Sequence, residues 1–209
     1  MKGRGQSIPP LLIVAGTQST AALVWLAYFL VTGHAFASPR TAWPAVVFGA
    51  GLVLGMGGLL ARASARGDIS VVGPVFALSP VFTILPDAVL SGTLPSALGW
   101  VGLGLAVAGT SSLSGGAAGA TLRAVFTRRD ALDALGAAIL LGFLAAVDRW
   151  GARAMGPPSY LLCSHGATAV LTWAIVFTTA RRTIAPMMTV PHLTTIVAHG
   201  LLGVTGTGM

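Results

Sequence analysis

The chain contains long runs of residues without a charged side chain, and these runs limit its fold more than any other feature. The first, Ile8–Val31, has 24 consecutive uncharged residues, more than the ~20 that an α-helix needs to cross a bilayer. It is also longer than the ~7–15 apolar residues of a signal peptide. We therefore interpret it as a retained membrane span, with Lys2 and Arg4 as its basic flank.

The composition supports a membrane protein and excludes several other classes. Of the 209 residues, 55% are hydrophobic and 8% are charged, whereas soluble domains have about 25% charged residues. The basic residues lie at the ends of apolar runs and not in a patch with aromatic residues, which argues against a nucleic-acid partner. The single cysteine, Cys163, excludes an intrachain disulfide framework. No Cys/His cluster predicts a metal or a cofactor.

Seven apolar segments are separated by basic, Gly-rich or Pro-rich connections, and each is predicted to be a membrane span. They are Ile8–Val31, Ala42–Ala61, Ile69–Gly92, Leu94–Leu113, about Ala131–Ala154, Pro157–Ala180 and Val190–Met209. Small residues recur four apart, which predicts close helix packing. These pairs are Gly51/Gly55, Gly104/Ala108, Ala138/Gly142 and Gly203/Thr207. The predicted fold class is an all-α, polytopic helical bundle of about seven transmembrane helices.

Two of these segments are related in sequence. Residues 9–25 and 157–173 align without a gap at an offset of 148 and share both prolines at the start and a Trp at the end. The same offset carries Met209 onto Ala61, so the second copy lacks counterparts of spans three and four. The first copy in turn lacks an opening helix. We therefore predict two incomplete five-helix repeats: 1–114 without its first helix, a linker at 115–130, and 131–209 without its last two helices.

A loose set of motifs between Ala61 and Gly109 resembles a known family. The matching residues are Ala61, Arg62, Ser70, Pro74, Ser79, Pro80, Val81, Phe82 and Thr83, followed by Gly99, Gly102 and Gly109. They are similar to the EamA-type members of the drug/metabolite transporter superfamily, and the pair Asp148 and Arg149 looks like the opening of that family's second repeat. The chain departs from the family at Gly92-Thr93, where a Gly-Glu turn is typical.

The resemblance implies ten helices in two inverted five-helix repeats, and a role in moving small metabolites or drugs across the cytoplasmic membrane. It covers most of residues 8–205. Relative to that fold, the chain is expected to be truncated at both ends.

Span three contains the strongest candidates for a role in transport. Asp87 is an acid with apolar residues on both sides, and an aspartate at the bilayer centre costs about 2.5–3.5 kcal/mol. An acid retained in a span predicts a proton-coupling or cation site. The alternative is that Asp87, close to Gly92, lies at the interface and meets water. Pro80 and Pro86 each remove a helical hydrogen bond, which is typical of broken helices at substrate sites and also of bent packing helices.

Polar and aromatic residues in spans one and six are further candidates for the transport pathway. They are Thr17, Gln18 and Trp25, with His165 and Trp173 in the related segment. Polar side chains here either bind the solute or hydrogen-bond a neighbouring helix, and the tryptophans either stack on the solute or anchor at the interface.

These features favour a multi-pass protein of the bacterial cytoplasmic (inner) membrane that acts as a secondary transporter by alternating access, with proton coupling through Asp87. The alternative is a non-transporting remnant or a membrane interaction subunit. No motif predicts an enzyme. The expected partners are a small-molecule solute and the lipid bilayer, with a homodimer left open. The distribution of Lys and Arg favours a cytoplasmic N-terminus, whereas the family arrangement without its first helix favours the opposite.

Overall fold

The computed structural model describes residues 10–37, 40–67, 69–92, 94–113 and 127–179. Within these ranges the regular secondary structure is helical, as the sequence predicts. The helices are α1 (Pro10–Thr32), α2 (Trp43–Arg66, after a 3-10 turn at Arg40–Ala42), α3 (Ile69–Phe76), α4 (Ser79–Ser91), α5 (Ala97–Leu113), α6 (Arg129–Met155) and α7 (Pro157–Thr179).

Within the described ranges, five segments are long and apolar enough to cross a membrane. They are α1, α2 with its preceding turn, α3 and α4 taken together, α6, and α7. A shorter apolar helix, Ala97–Gly109, corresponds to predicted span four. Predicted span seven, Val190–Met209, lies outside the described residues, so the number of spans stays a prediction.

Large apolar side chains cover the outer surface of these helices. Leu98 is 80% exposed, Val89 is 76% exposed and Val31 is 86% exposed. A soluble protein rarely presents so many large apolar side chains to water. A surface of this kind suits contact with lipid, and it agrees with a polytopic membrane fold.

Predicted span three is two helices instead of one. α3 ends at Phe76 and α4 begins at Ser79, so the break at Ala77 and Leu78 lies just before Pro80. A proline in the first turn of a helix costs no hydrogen bond, because the N–H group that it lacks has no partner there. At its other end α4 stops at Gly92, whose φ of 63° is the left-handed conformation that favours glycine as a helix cap.

The chain divides into two compact units, which are described separately. One combines Met1–Ala50 with Ala154–Met209, and the other is Gly51–Arg153. In the first unit, α1 packs against α7. Leu12, near the start of α1, packs with Val176, near the end of α7. The backbone N–H of Ala37, after the end of α1, donates to Oγ of Ser159, at the start of α7. The two helices are therefore antiparallel.

In the unit Gly51–Arg153, α2 and α6 fit together through leucines that face glycines. A Cβ added at Gly55 would lie 3.1 Å from Leu140, and one added at Gly136 would lie 3.0 Å from Leu59. Such close approach is typical of membrane helices. A buried apolar cluster formed by Ala63, Val72, Val75, Ala131 and Ala134 continues this packing towards α3.

Candidate functional site

A cavity of about 620 Å³ lies within the unit Gly51–Arg153. Its volume is in the range of small-molecule sites, roughly 300–1,000 Å³. It is lined by α4, by the segment from Leu94 into α5, and by α6. The lining residues are Ser79, Pro80, Thr83, Ile84, Asp87, Leu94, Pro95, Gly99, Gly102, Leu103, Ala106, Leu141, Ala145 and Arg149.

Helical periodicity explains why these residues share a wall. Side chains four apart lie on the same side of a helix, and α4 and α6 each contribute three residues at that spacing. The two series are Ser79, Thr83 and Asp87 on α4, and Leu141, Ala145 and Arg149 on α6. On α5 the small residues Gly99, Gly102 and Ala106 leave room between the walls.

The two charged residues of the cavity form an ion pair. Nη1 of Arg149 donates to Oδ2 of Asp87. Asp87 is 8% exposed, whereas the side chain of Arg149 is 47% exposed. Two paired charges are tolerated in a membrane segment better than either alone, because each compensates for the water that the other has lost. Asp87 is thus buried and paired, in contrast to the alternative in which it lies at the interface and is hydrated.

The second carboxylate oxygen of Asp87 is different. Oδ1 is buried and has no hydrogen-bond partner within the described part of the chain. Buried polar atoms are nearly always hydrogen-bonded, and an unpaired one needs an explanation. Thr83, one turn earlier on the same wall, does not supply the bond, because its hydroxyl donates to the backbone oxygen of Ser79 at 3.2 Å.

Pro80 and Pro86, which the sequence analysis selected as candidates, have different roles in the structure. Pro80 lines the cavity in the first turn of α4. The prediction that it removes a helical hydrogen bond is wrong, because an N–H group in the first turn has no helical partner. Pro86 is buried inside α4 and has no N–H to donate to the carbonyl of Phe82. Gly142 of α6 lies against that same carbonyl, since a Cβ added there would be 2.8 Å from the oxygen of Phe82. The small pair Ala138 and Gly142 was predicted to pack closely, and Gly142 lies where Pro86 interrupts the neighbouring helix.

The remaining sequence candidates lie in the other unit, on α1 and α7. Nδ1 of His165 is 2.6 Å from Oε1 of Gln18, and Nε1 of Trp173 donates to Oγ of Ser19 at 3.0 Å. Thr17 bonds within its own helix, with its hydroxyl 3.0 Å from the oxygen of Val14. The contact of Gln18 with His165 joins neighbouring helices, one of the two roles predicted for the polar side chains. The bond of Thr17 stays within α1, and the bond of Trp173 to Ser19 was not predicted.

Two buried nitrogen atoms in this unit have no partner among the described residues, Nε1 of Trp25 and Nε2 of His165. If Gln18 accepts from Nδ1, Nε2 is left as a hydrogen-bond acceptor. Trp25 also makes an edge contact with Tyr28, with ring centroids 5.7 Å apart. Over the residues that the structure describes, no three His, Cys or Asp side chains converge as metal ligands.

Arg149 is the functional candidate that the sequence did not single out. It was noted only as part of the Asp148–Arg149 pair, yet it meets Asp87 across 62 positions of the chain. The sequence did contain one indication, the spacing: Arg149 lies four residues after Ala145 and eight after Leu141, on the same side of the helix. Nothing in the sequence indicated which side of α6 faces α4.

A multi-pass helical bundle with a solute-sized, mostly apolar cavity and an ion pair in the wall of that cavity has the features of a membrane transporter. The profile of the EamA-like transporter family matches residues 1–115, more than half of the 209 residues, and the chain belongs to that family. Membership implies transport and not catalysis, in agreement with the resemblance to EamA-type drug/metabolite transporters. No match was found among curated proteins or among solved structures.

Proposed function

We propose that this protein is a secondary transporter that moves small metabolites or drugs across the bacterial cytoplasmic membrane by alternating access. The observation that carries the proposal is the cavity of about 620 Å³ with the pair Asp87 and Arg149 in its wall. The solute would occupy this cavity, which offers apolar surface for contact and a small number of polar groups for recognition.

The internal repeat supports the alternating-access mechanism. In transporters with inverted repeats, related helices run in opposite directions through the membrane. From Pro10 onward, the related segments 9–25 and 157–173 belong to α1 and α7, which are antiparallel neighbours. The family match ends at residue 115, next to the proposed boundary between the first repeat, 1–114, and the linker, 115–130.

We further propose that Asp87 couples transport to protons. A proton on the carboxylate removes its charge, and the attraction that holds Arg149 then weakens. The pair thus offers two states, joined and released, whose populations would depend on proton and solute binding. Pro86 and the break before α4 provide places where the helix could adjust between these states.

The test is transport by the protein in proteoliposomes, with a panel of radiolabelled metabolites and drugs and an imposed pH gradient. Asp87→Asn keeps the side-chain volume and removes the carboxylate that would carry the proton, so we expect pH-driven uptake to be abolished. Asp133→Asn is the matched control: Asp133 pairs with Arg66 at 3.9 Å on the same unit but does not line the cavity. It should transport at the native rate.

Unchanged proton coupling in Asp87→Asn would remove Asp87 from the mechanism. If no solute of a broad panel moves while the protein is folded and inserted, the alternative of a non-transporting membrane subunit is favoured. Measuring the mass of the protein in detergent would at the same time test for a homodimer.

A further inference from the structure

We propose that the cavity selects solutes without net charge and holds them through an N–H or O–H group that donates to Oδ1 of Asp87. This inference rests on the proposed transport function, and it adds the chemical class of the solute. It follows from the charge of the cavity wall and from the unpaired oxygen, which are separate observations.

The charge of the wall is balanced. Among the lining side chains that the structure describes, Asp87 and Arg149 carry charges and already neutralise each other, while the others are uncharged. A cation near this pair is attracted by Asp87 but repelled by Arg149, and an anion meets the reverse. A charged solute that enters this largely apolar cavity therefore loses hydration without forming an ion pair that compensates for the loss. A neutral solute loses much less hydration.

The unpaired oxygen specifies the polar group. Oδ1 of Asp87 is buried, and no donor from the described residues reaches it. An ionised carboxylate only accepts hydrogen bonds, so its missing partner has to be a donor. The side chain of Arg149 is half exposed, and the planar set of five N–H groups on a guanidinium suits an acceptor on the same solute. An amide, with donor and acceptor side by side, is the simplest group of this kind.

A thiol in the cavity wall can report this selectivity without any transport. Ala145 lies one turn before Arg149 and lines the cavity, so Ala145→Cys in a Cys163→Ala background gives a single reactive position. The probes are methanethiosulfonates that carry a trimethylammonium, a sulfonate, a neutral carboxamide or a propyl group. Each rate is divided by the rate of the same reagent with a small free thiol.

We expect the carboxamide to react at least tenfold faster, on this normalised scale, than either charged reagent. Asp87→Asn leaves an unpaired cation, so it should raise the sulfonate rate about tenfold and not the trimethylammonium rate. Arg149→Gln should do the opposite. Asp133→Asn, which removes an acid away from the cavity, should leave all four rates unchanged. Equal normalised rates for the charged and neutral reagents would overturn the inference.

The role of the donor is tested by comparing the carboxamide with the propyl reagent, since both are neutral. The carboxamide should react faster in the protein with the intact pair, by about threefold or more. This advantage should vanish in the double variant Asp87→Leu/Arg149→Leu, in which the pair is replaced by apolar side chains. If the carboxamide still reacts faster than the propyl reagent in the double variant, Oδ1 is not the acceptor. If the two reagents react equally fast in the protein with the intact pair, water satisfies Oδ1 and the inference is wrong.

The two proposals can fail separately. If the reagents react at the different rates expected but no solute is taken up, the inference about the cavity is supported and the transport function is rejected. Uptake that depends on Asp87 together with equal reagent rates would keep transport and reject the selectivity. Should the double leucine variant fail to fold, the opposite shifts expected for Asp87→Asn and Arg149→Gln still decide the charge argument.

Discussion

At the scale of single residues, the pairing of Asp87 with Arg149 is the main structural result. Each residue alone would be costly inside an apolar segment, because a charge loses its hydration there. Together they satisfy part of each other's hydrogen-bonding capacity, while one oxygen, Oδ1 of Asp87, has no partner among the described residues. The sequence identified Asp87 from its apolar surroundings, but its partner depends on how α6 packs against α4.

The pairing of Asp87 with Arg149 should also affect the free energy of unfolding. Arg149→Leu leaves the buried carboxylate of Asp87 without its partner, which we expect to destabilise the protein by about 1–3 kcal/mol. Asp87→Leu/Arg149→Leu should recover most of this loss, because apolar replacement of a buried ion pair is often neutral or favourable. Thermal unfolding in detergent measures both. A single variant as stable as the native protein would mean that the pair contributes little.

At the scale of elements, the contact between α4 and α6 depends on a proline and a glycine that act together. Pro86 deprives the carbonyl of Phe82 of its helical donor, and Gly142 allows the backbone of α6 to lie against that carbonyl. The prolines predicted either a broken or a bent helix, and the spacing of Ala138 and Gly142 predicted a small-residue contact. That the two coincide at Phe82 is a property of the packed helices.

Gly142→Ala should test this contact. The added methyl carbon would lie 2.6–2.8 Å from backbone and Cβ atoms of Phe82, so the helices have to separate, at a cost of about 1–3 kcal/mol. The matched control is Gly104→Ala on α5, where an added Cβ meets nothing within 4 Å. Because alanine is the better helix former by about 1 kcal/mol, that variant should be unchanged or more stable. Equal stability of the two variants would contradict the close approach.

At the scale of the whole molecule, helices from distant parts of the chain form one unit. α1 and α7 are separated by more than a hundred residues, yet they are antiparallel neighbours joined by the contacts of Gln18 with His165 and Ser19 with Trp173. The similarity of their sequences was detectable from the aligned prolines and tryptophans. Their contact was not, because similarity between two segments does not specify whether they touch.

Cross-linking measures the direction of these helices. In a Cys163→Ala background, Leu12→Cys/Val176→Cys should form a disulfide on mild oxidation in the membrane, since the two positions pack together. Leu12→Cys/Ser159→Cys joins the start of α1 to the start of α7 and should stay reduced. The reverse result would mean that the helices are parallel, and it would remove the support that α1 and α7 give to an inverted repeat.

The sequence by itself determined the membrane class, the helical fold, six helical segments with ends that differ by at most five residues, and the family. These follow from local properties: the length of uncharged runs, the positions of prolines and glycines, and the order of short motifs. Even the break before Pro80 was indicated locally, although span three was predicted as one segment.

Only the tertiary structure decided which side chains meet. Each of these contacts involves residues on different helices. They are the lining of the cavity, the ion pair of Asp87, the approach of Gly142 to Phe82, and the hydrogen bond between Gln18 and His165. In a segment that is apolar on every side, periodicity does not distinguish the face towards lipid from the face towards protein. The rotation of each helix about its axis is fixed by packing against its neighbours, and that rotation places Arg149 beside Asp87.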